Sequence, residues 1–347
     1  MRLYADGVIR GWLEAFPDDQ LILLGAPWLT EEFGASPGVT VVEWDNDSAA
    51  SRIFGQLVKS AAVFRSSKSD ILISLSPVVS PLVPRSRRLS SVQDWRHIKN
   101  PHEFSRAQHL YRRLWKRSVA GAGAVVTMSS KTQAETVELV PGANSHLVET
   151  GRDYVRYWPQ QELGIAEGKK IITTFGHHTN KRPELVIDAL GRIPADEVAH
   201  ILLVVLGARG EFRDTLRARA AALDVLDSCD FPGFVEESYY QRLVRDSSLI
   251  ILASSDEGFG LPVAEANYLR IPALVTTDSG LADIHSQGIV VAEPTPESVS
   301  EAIRFALAGR VEPARADTLT TWAQTAAGFR EIAIDAARRG RGAATLA

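Results

Sequence analysis

The chain has 347 residues, 45% of them apolar and 23% charged, which at roughly 150 residues per domain predicts about two globular domains and excludes a disordered or fibrous chain. The net charge of −4 removes any whole-chain argument for nucleic-acid binding and leaves only a local basic patch to consider. A single cysteine, Cys229, cannot close an internal disulfide, argues against a structural zinc site and fits a reducing cytoplasm, and no apolar run approaches the roughly 18 residues a membrane span requires.

The opening MRLYADGVIRGWLEAF places Leu3, Val8, Trp12, Leu13 and Phe16 at near-helical spacing and interrupts them with Asp6, Arg10 and Glu14, so it predicts a helix and not a signal peptide. Short apolar runs then predict strands at 21–26, 39–44, 70–76, 88–94, 124–129 and 145–150. Helices are predicted between them, most clearly at 48–65 and 103–119, the second with Leu110, Leu114 and Val119 on one side and Arg106, Arg113 and Arg117 on another. The stretch from Gly151 to Gly168 mixes aromatics, Pro159 and charges without period and reads as a linker. A second alternation follows, with strands at 169–175, 200–207, 229–233, 249–254, 273–277 and 289–293 and helices near 183–192, 211–224, 237–246, 262–270 and 296–308. A last helix at about 318–338 can pack on either domain. Strand–helix alternation of this kind predicts an α/β protein with two Rossmann-like domains in tandem. Their boundaries are 1–152, a linker at 153–168, 169–317, and a terminal helix and tail at 318–347.

The chemistry concentrates in SSDEGFGLPVAEA, Ser254 to Ala266, directly after the buried run LIILA. A strand's carboxyl end is where doubly wound sheets bind ligands, because helix N-termini and their free N–H groups point there. Gly258, Phe259 and Gly260 make a loop whose glycines admit close backbone approach, and Pro262 is preset for the first helical turn, an arrangement that suits a phosphate. Glu257 and Glu265 flank the loop. A carboxylate accepts two sugar hydroxyls at once, so the pair can hold a sugar and a ribose around a diphosphate. Acidic residues also favour helix starts through the dipole, so the pair carries weight only in this setting.

EGFGLPVAEA resembles the signature of retaining GT-B glycosyltransferases of family four, the glycosyl transferases group 1, in which two glutamates bracket a G-F-G-x-P loop at the donor sugar. The resemblance continues in TFGHHTNKRPELVIDAL (174–190), where the family places a basic residue just before the helix to grip the donor diphosphate. Lys181 occupies that place with Arg182 beside it, and His177 stands where the family often has arginine. Weaker matches follow in order. FPGFV (231–235) includes Val235, where main chain near the base is expected; RIPALVTTDSGLADI (270–284) resembles a strand and acidic turn; TWAQTA (321–326) resembles the closing helix. In the first half, residues 92–115 resemble the segment that carries a His-Asp pair facing the donor sugar, with Asp94 in the aspartate's place and Gln93 in the histidine's. Glutamine can hydrogen-bond a hydroxyl but is no acid or base near neutral pH. His97 or His102 can substitute, and each reads more readily as a surface histidine.

The resemblance implies a GT-B fold, two Rossmann-like domains with parallel sheets facing across a cleft, and a cytoplasmic enzyme transferring sugar from a nucleotide diphosphate donor with retention. It implies no metal and no cofactor besides that donor substrate, and an acceptor that is a glycan, a lipid-linked molecule or a small molecule. Glu257, Lys181 and Asp94 would be catalytic; Arg182, His177, Gly258, Phe259, Gly260, Leu261, Glu265, Val235 and Gln93 would bind donor. By analogy the Gln-Asp-Trp segment inclines toward enzymes of bacterial surface polysaccharides with rhamnose or mannose donors. A nucleotide-sugar epimerase, or a nucleotide-sugar-binding protein without transfer activity, uses the same features. A nicotinamide dehydrogenase is disfavoured because no G-x-G-x-x-G follows any predicted strand.

Residues 85–117 hold ten Lys and Arg against Asp94 and Glu103, a local +8 that leaves −12 elsewhere. This reads either as a patch for an anionic membrane surface or lipid-diphosphate acceptor, which would put the enzyme peripherally at the inner membrane surface, or as a solvated helix face. Nucleic acid is disfavoured, since no stacking platform or nucleic-acid motif accompanies the charge. The resembling family opens with a strand and a glycine loop before its first helix. This chain, beginning near that helix, reads as a slightly shortened version whose first sheet lacks its usual opening strand.

Overall fold

The computed structural model describes residues 2–45, 48–99, 101, 106–161, 163–164 and 168–344. The chain forms two compact units, Met1–Gly151 with Thr320–Ala347, and Arg152–Leu319.

In the first unit, strands β1 (Leu21–Gly25) and β2 (Val39–Glu43) pair in a two-stranded parallel sheet. Strands β3 (Leu72–Ser74), β4 (Arg88–Val92), β5 (Ala124–Thr127) and β6 (Ser145–Leu147) form a separate parallel sheet in that order. The opening helix, Arg2–Ala15, lies against the terminal helix, Trp322–Ala344. Gly7 and Gly11 make the approach possible: a Cβ on Gly11 would stand 2.1 Å from the Trp322 carbonyl oxygen, and one on Gly7 would enter the Trp322 indole. Asp19 ties the two ends of the chain, accepting from Trp12 at 3.0 Å and from the Arg330 guanidinium at 2.8 and 3.1 Å.

The helix expected over 48–65 is broken into Ala49–Phe54, one π-helical turn Gly55–Lys59, and Ser60–Ser66. Ser48 caps its start by accepting from the Ser51 amide. The helix Ser130–Leu139 lies where one is expected between two strands, although its threonines are weak helix formers; Ser129 caps it and the buried Trp95 indole donates to Thr136 from the core side.

The second unit is one six-stranded parallel sheet built from β7 (Lys170–Phe175), β8 (Ile201–Leu206), β9 (Cys229–Gly233), β10 (Leu249–Leu252), β11 (Ala273–Thr276) and β12 (Ile289–Ala292). Its order is β12-β11-β10-β7-β8-β9, the doubly wound order of a Rossmann sheet. The strands are apolar on both faces, as a sheet covered by helices on both sides requires. Ile172, Leu203, Val205, Leu249, Ile251 and Leu274 face one core; Ile171, Val204, Leu206, Ile250, Leu252 and Val275 face the other. Within the stretch expected as a linker, Asp153–Tyr157 forms a short 3-10 helix, and Val155 and Trp158 are buried in the second of those cores. Two aromatic or aliphatic side chains with an apolar pocket to fill outweigh the absence of any period in the sequence.

Candidate functional site

In the doubly wound sheet the order reverses between β7 and β10, and the loops leaving those two strands lie side by side at their carboxyl ends. The β7 loop runs through His177 to Arg182 and enters the helix Pro183–Leu190; the β10 loop runs through Ser254 to Gly260 and enters the helix Leu261–Leu269. Hydrogen bonds join them: the Ser255 amide donates to the Asn180 carbonyl at 2.9 Å and the Asn180 side-chain amide to the Asp256 carbonyl at 3.2 Å. A third strand end contributes through the Glu257 amide, which donates to the Ser279 carbonyl at 3.1 Å.

This places Lys181 and Glu257 in direct contact. The Lys181 ammonium donates to Glu257 Oε1, and both side chains are about nine-tenths buried. A cation and a carboxylate thus meet at one point beneath two helix starts, the combination needed to receive an anionic group on one side and hydroxyls on the other.

Arg182 has a different employment from the diphosphate contact expected of it. Its backbone is left-handed, φ 48°, and four of its five N–H groups are bonded within the protein. Nε donates to the Ala253 carbonyl at 2.6 Å, the two terminal nitrogens clasp Asp278 at 2.7 and 2.8 Å, and one of them also donates to Thr276 at 2.9 Å. Burial raises the Asp278 pKa, but the bonds from Arg182 and Thr276 outweigh it and hold the carboxyl below its ordinary value. Arg182 therefore staples the ends of β10 and β11 to the Lys181 loop.

In the glycine loop, Gly258 and Leu261 are partly exposed while the Phe259 side chain is buried. Any ligand contact by Phe259 is thus through its backbone. Its ring lies under the Arg152 guanidinium and its carbonyl accepts from His285 Nε2 at 2.7 Å. Burial, and then the nearby Arg152, push His285 down to about 3, so it stays neutral and acts as a fixed donor to the loop. Gly260 has φ +74°, and a Cβ there would sit 2.5 Å from Leu281, so both backbone conformation and space demand glycine.

Glu265 lies in the second turn of the helix that follows, 3% exposed. Tyr154 donates to its Oε1 and Tyr240 to its Oε2. Each oxygen retains a second lone pair, so the hydroxyl-binding role expected of Glu265 is compatible with these bonds.

The remaining expected residues are dispersed. His177 is exposed at the end of β7, its ring against Phe175 and His178. Val235 follows β9, half-buried against the same core as Tyr240. Gln93 and Asp94 belong to the first unit, just past β4. The Gln93 amide donates to the Leu75 carbonyl at 3.2 Å, and Asp94 accepts from the Arg96 amide at 3.1 Å. His97 is buried, not on the surface as expected, and packs edge-on against Trp115 at 4.7 Å. Burial, then Arg112, His109 and Lys116, push it down to about 4, which leaves it neutral at physiological pH and no proton donor. His102 lies outside the described residues.

Within the basic segment, Arg88 turns inward, its guanidinium donating to the carbonyls of Gly121, Ser80 and Val83, and Arg112 lies over the Trp115 ring. Arg113, Lys116 and Arg117 remain as an exposed stripe on the helix Arg106–Gly121. No helix among the described residues is long and apolar enough to cross a membrane.

Sequence reasoning missed Asn180, Asp278, His285 and the two tyrosines. Tyr154 stood in an aperiodic stretch and Tyr240 in a helix with no motif, so only the fold shows that they meet at Glu265.

Residues 159–321 match the family model described as glycosyl transferases group 1. An uncharacterized glycosyltransferase of Methanocaldococcus jannaschii is 27% identical over 41% of this chain and 36% of its own length. The D-inositol 3-phosphate glycosyltransferase of Geodermatophilus obscurus is 26% identical over 47% of this chain and 40% of its own. The chain thus matches between a third and two fifths of the length of these curated relatives. Among solved structures, Anabaena HepE in complex with UDP and glucose superposes with a TM-score of 0.62 at 14% identity, covering 99% of this chain and 95% of that one. That likeness shows the fold, and it agrees with the matched region: the chain has the GT-B type of α/β fold, and a little under half of it, residues 159–321, matches the glycosyl transferases group 1.

Proposed function

We propose that the protein is a retaining glycosyltransferase that moves a sugar from a nucleoside diphosphate donor to an acceptor. The observation that carries this reading is the Lys181–Glu257 pair at the β7/β10 switch point, beside the glycine loop that opens a helix. The donor's diphosphate takes the Lys181 ammonium and the loop N–H groups, and the sugar's hydroxyls take the Glu257 carboxylate. As the glycosidic bond breaks, negative charge grows on the departing diphosphate, and a cation already held in place by its surroundings stabilises it without reorganising. Glu265 holds the ribose hydroxyls, and Val235 offers main chain to the base. Retention follows the resemblance, in which the leaving phosphate itself takes the acceptor's proton, so neither glutamate need form a bond to sugar. No metal has a part in this scheme. Asp94 is assigned as catalytic from the resemblance; D94N should lower turnover while leaving nucleotide affinity intact.

The UDP and glucose bound by the HepE structure make UDP-glucose a first probe, with GDP-mannose and rhamnose donors beside it. Product analysis tests the reading: a new glycoside in the presence of acceptor supports transfer, a changed sugar nucleotide from donor alone marks an epimerase, and binding with no product marks a binding protein. The acceptor is a glycan, a lipid-linked molecule or a small molecule. Arg113, Lys116 and Arg117 support an acceptor bearing a phosphate at an anionic bilayer, and with it the proposal of a cytoplasmic enzyme peripheral to the inner membrane surface; charge reversal at all three should abolish sedimentation with anionic vesicles and leave the donor affinity unchanged.

A further inference from the structure

Glu265 is held by two phenols from two separate elements. Tyr154 belongs to the 3-10 turn Asp153–Tyr157, and Tyr240 to the helix Glu237–Asp246 that follows the end of β9. Both rings are fixed by Trp158, which stands edge-on to Tyr154 at 6.1 Å and to Tyr240 at 5.9 Å. Phenylalanine would fill the same space against Trp158 and Phe175, so the apolar packing does not call for the hydroxyls. A buried phenol needs a partner, and here both choose one carboxylate, one oxygen each.

We propose that Tyr154 and Tyr240 are positioning residues for the donor nucleotide, holding the Glu265 carboxylate in the orientation that turns its remaining lone pairs toward the ribose hydroxyls. The proposal rests on the reading of Glu265 as the ribose-binding residue. The surroundings support it electrostatically. Burial raises the Glu265 pKa, the two hydroxyls pull it back, and Glu237 adds to the rise, leaving it at about 7. Both tyrosines are themselves pushed well above their ordinary range, by burial and then by the Glu265 charge, so they stay protonated as donors. A hydrogen bond to a charged group is among the stronger kinds, and losing one should move the titration of Glu265 further upward.

The test uses the whole chain with UDP-glucose and GDP-mannose, whose diphosphate diesters are fully ionised and do not titrate near neutrality. Affinity is measured by calorimetry from pH 6 to 9 for the wild type, Y154F, Y240F and E265Q. Carbon-13 NMR of labelled glutamate follows the Glu265 carboxyl in the same proteins. In the wild type, affinity should fall as pH drops through about 7, where Glu265 takes up its proton. In each phenylalanine variant the midpoint should rise by about one pH unit, with roughly fivefold weaker binding at pH 7 and recovery at pH 9. Recovery at high pH separates positioning from a packing defect, which pH would not cure. If E265Q binds poorly while both phenylalanine variants keep the wild-type affinity and midpoint, the positioning role is overturned and the ribose role stands. If E265Q binds as the wild type does, or the wild type binds neither probe, the ribose reading fails and this one with it.

Discussion

Lys181 and Glu257 are 76 positions apart in the chain and share one hydrogen bond. Each is needed for a different part of the donor, so their removal should have different signatures. K181A should lower kcat/KM by roughly 10²–10³, the typical loss when one preorganised donor to a developing negative charge is deleted. It should also leave Glu257 buried without its cation, which costs further stability. E257Q keeps the shape and should weaken sugar recognition, so its loss should be larger for a nucleotide sugar than for the bare nucleotide. Arg182 tests sequence against structure. As a staple, R182A should lower stability by about 2 kcal/mol, seen as a lower Tm, with nucleotide affinity following only as the loop loosens. An unchanged Tm with affinity lost would restore the diphosphate contact expected from its place beside Lys181. The residues legible in the sequence were those inside a motif whose spacing has a physical meaning, namely the glycine loop, its glutamates and the lysine at the helix start. Tyr154, Tyr240, Asp278 and His285 were not, because their roles come from pairings of distant segments that no local pattern encodes.

At the scale of elements, the twelve strands among the described residues lie where apolar runs placed them, to within a residue or three at their ends. Buried parallel strands are continuous in apolar character and short, so they announce themselves. The helices without legible bounds were those with weak periodicity: Trp28–Phe33, Arg96–Lys99 and Ala195–Val198 span six residues or fewer, and Ser130–Leu139 is built on threonines. The break in 48–65 and the burial of 153–158 depend on what packs beside them. The close approach of the helices Arg2–Ala15 and Trp322–Ala344 is likewise invisible in sequence, since Gly7 and Gly11 read as poor helix formers. G11A should improve helix propensity by about 1 kcal/mol and yet destabilise the protein by roughly 2–3 kcal/mol, because the new methyl meets backbone that cannot move aside. A denaturant titration showing a gain in stability would contradict that packing. In the site, G260A should be worse for function than for fold, since it forces the loop out of the left-handed region beside Leu281.

At the scale of the whole molecule, three buried groups give the stability a pH dependence, His285 and His97 of one sign and Glu265 of the other. His285 has a folded pKa of about 3 and His97 one of about 4, against an ordinary 6.5, so between those values the unfolded chain binds the extra protons and stability falls as pH drops. Glu265 has a folded pKa of about 7 against an ordinary 4.5, so between those values the folded chain binds more protons and stability rises as pH drops. Glu265 offsets one of the two histidines from about pH 6.5 to 4.5, and below that the histidines act unopposed. Urea titrations should therefore show the wild type losing up to about 1.4 kcal/mol per pH unit as pH drops from 6.5 to 5, and E265Q up to about twice that slope. Equal slopes in the two proteins would contradict the assigned burial of Glu265. The central claim is that the Lys181–Glu257 pair at the switch point of the second sheet holds a nucleoside diphosphate sugar. Its most direct test is the thermal unfolding of the wild type, K181A and E257A with a panel of nucleotide sugars, since a ligand at a hundred times its Kd adds about 2.7 kcal/mol. The expected result is a rise of roughly 5–10 °C for the wild type with at least one donor and little or none for either variant; no rise with any donor, or equal rises in all three proteins, would contradict it.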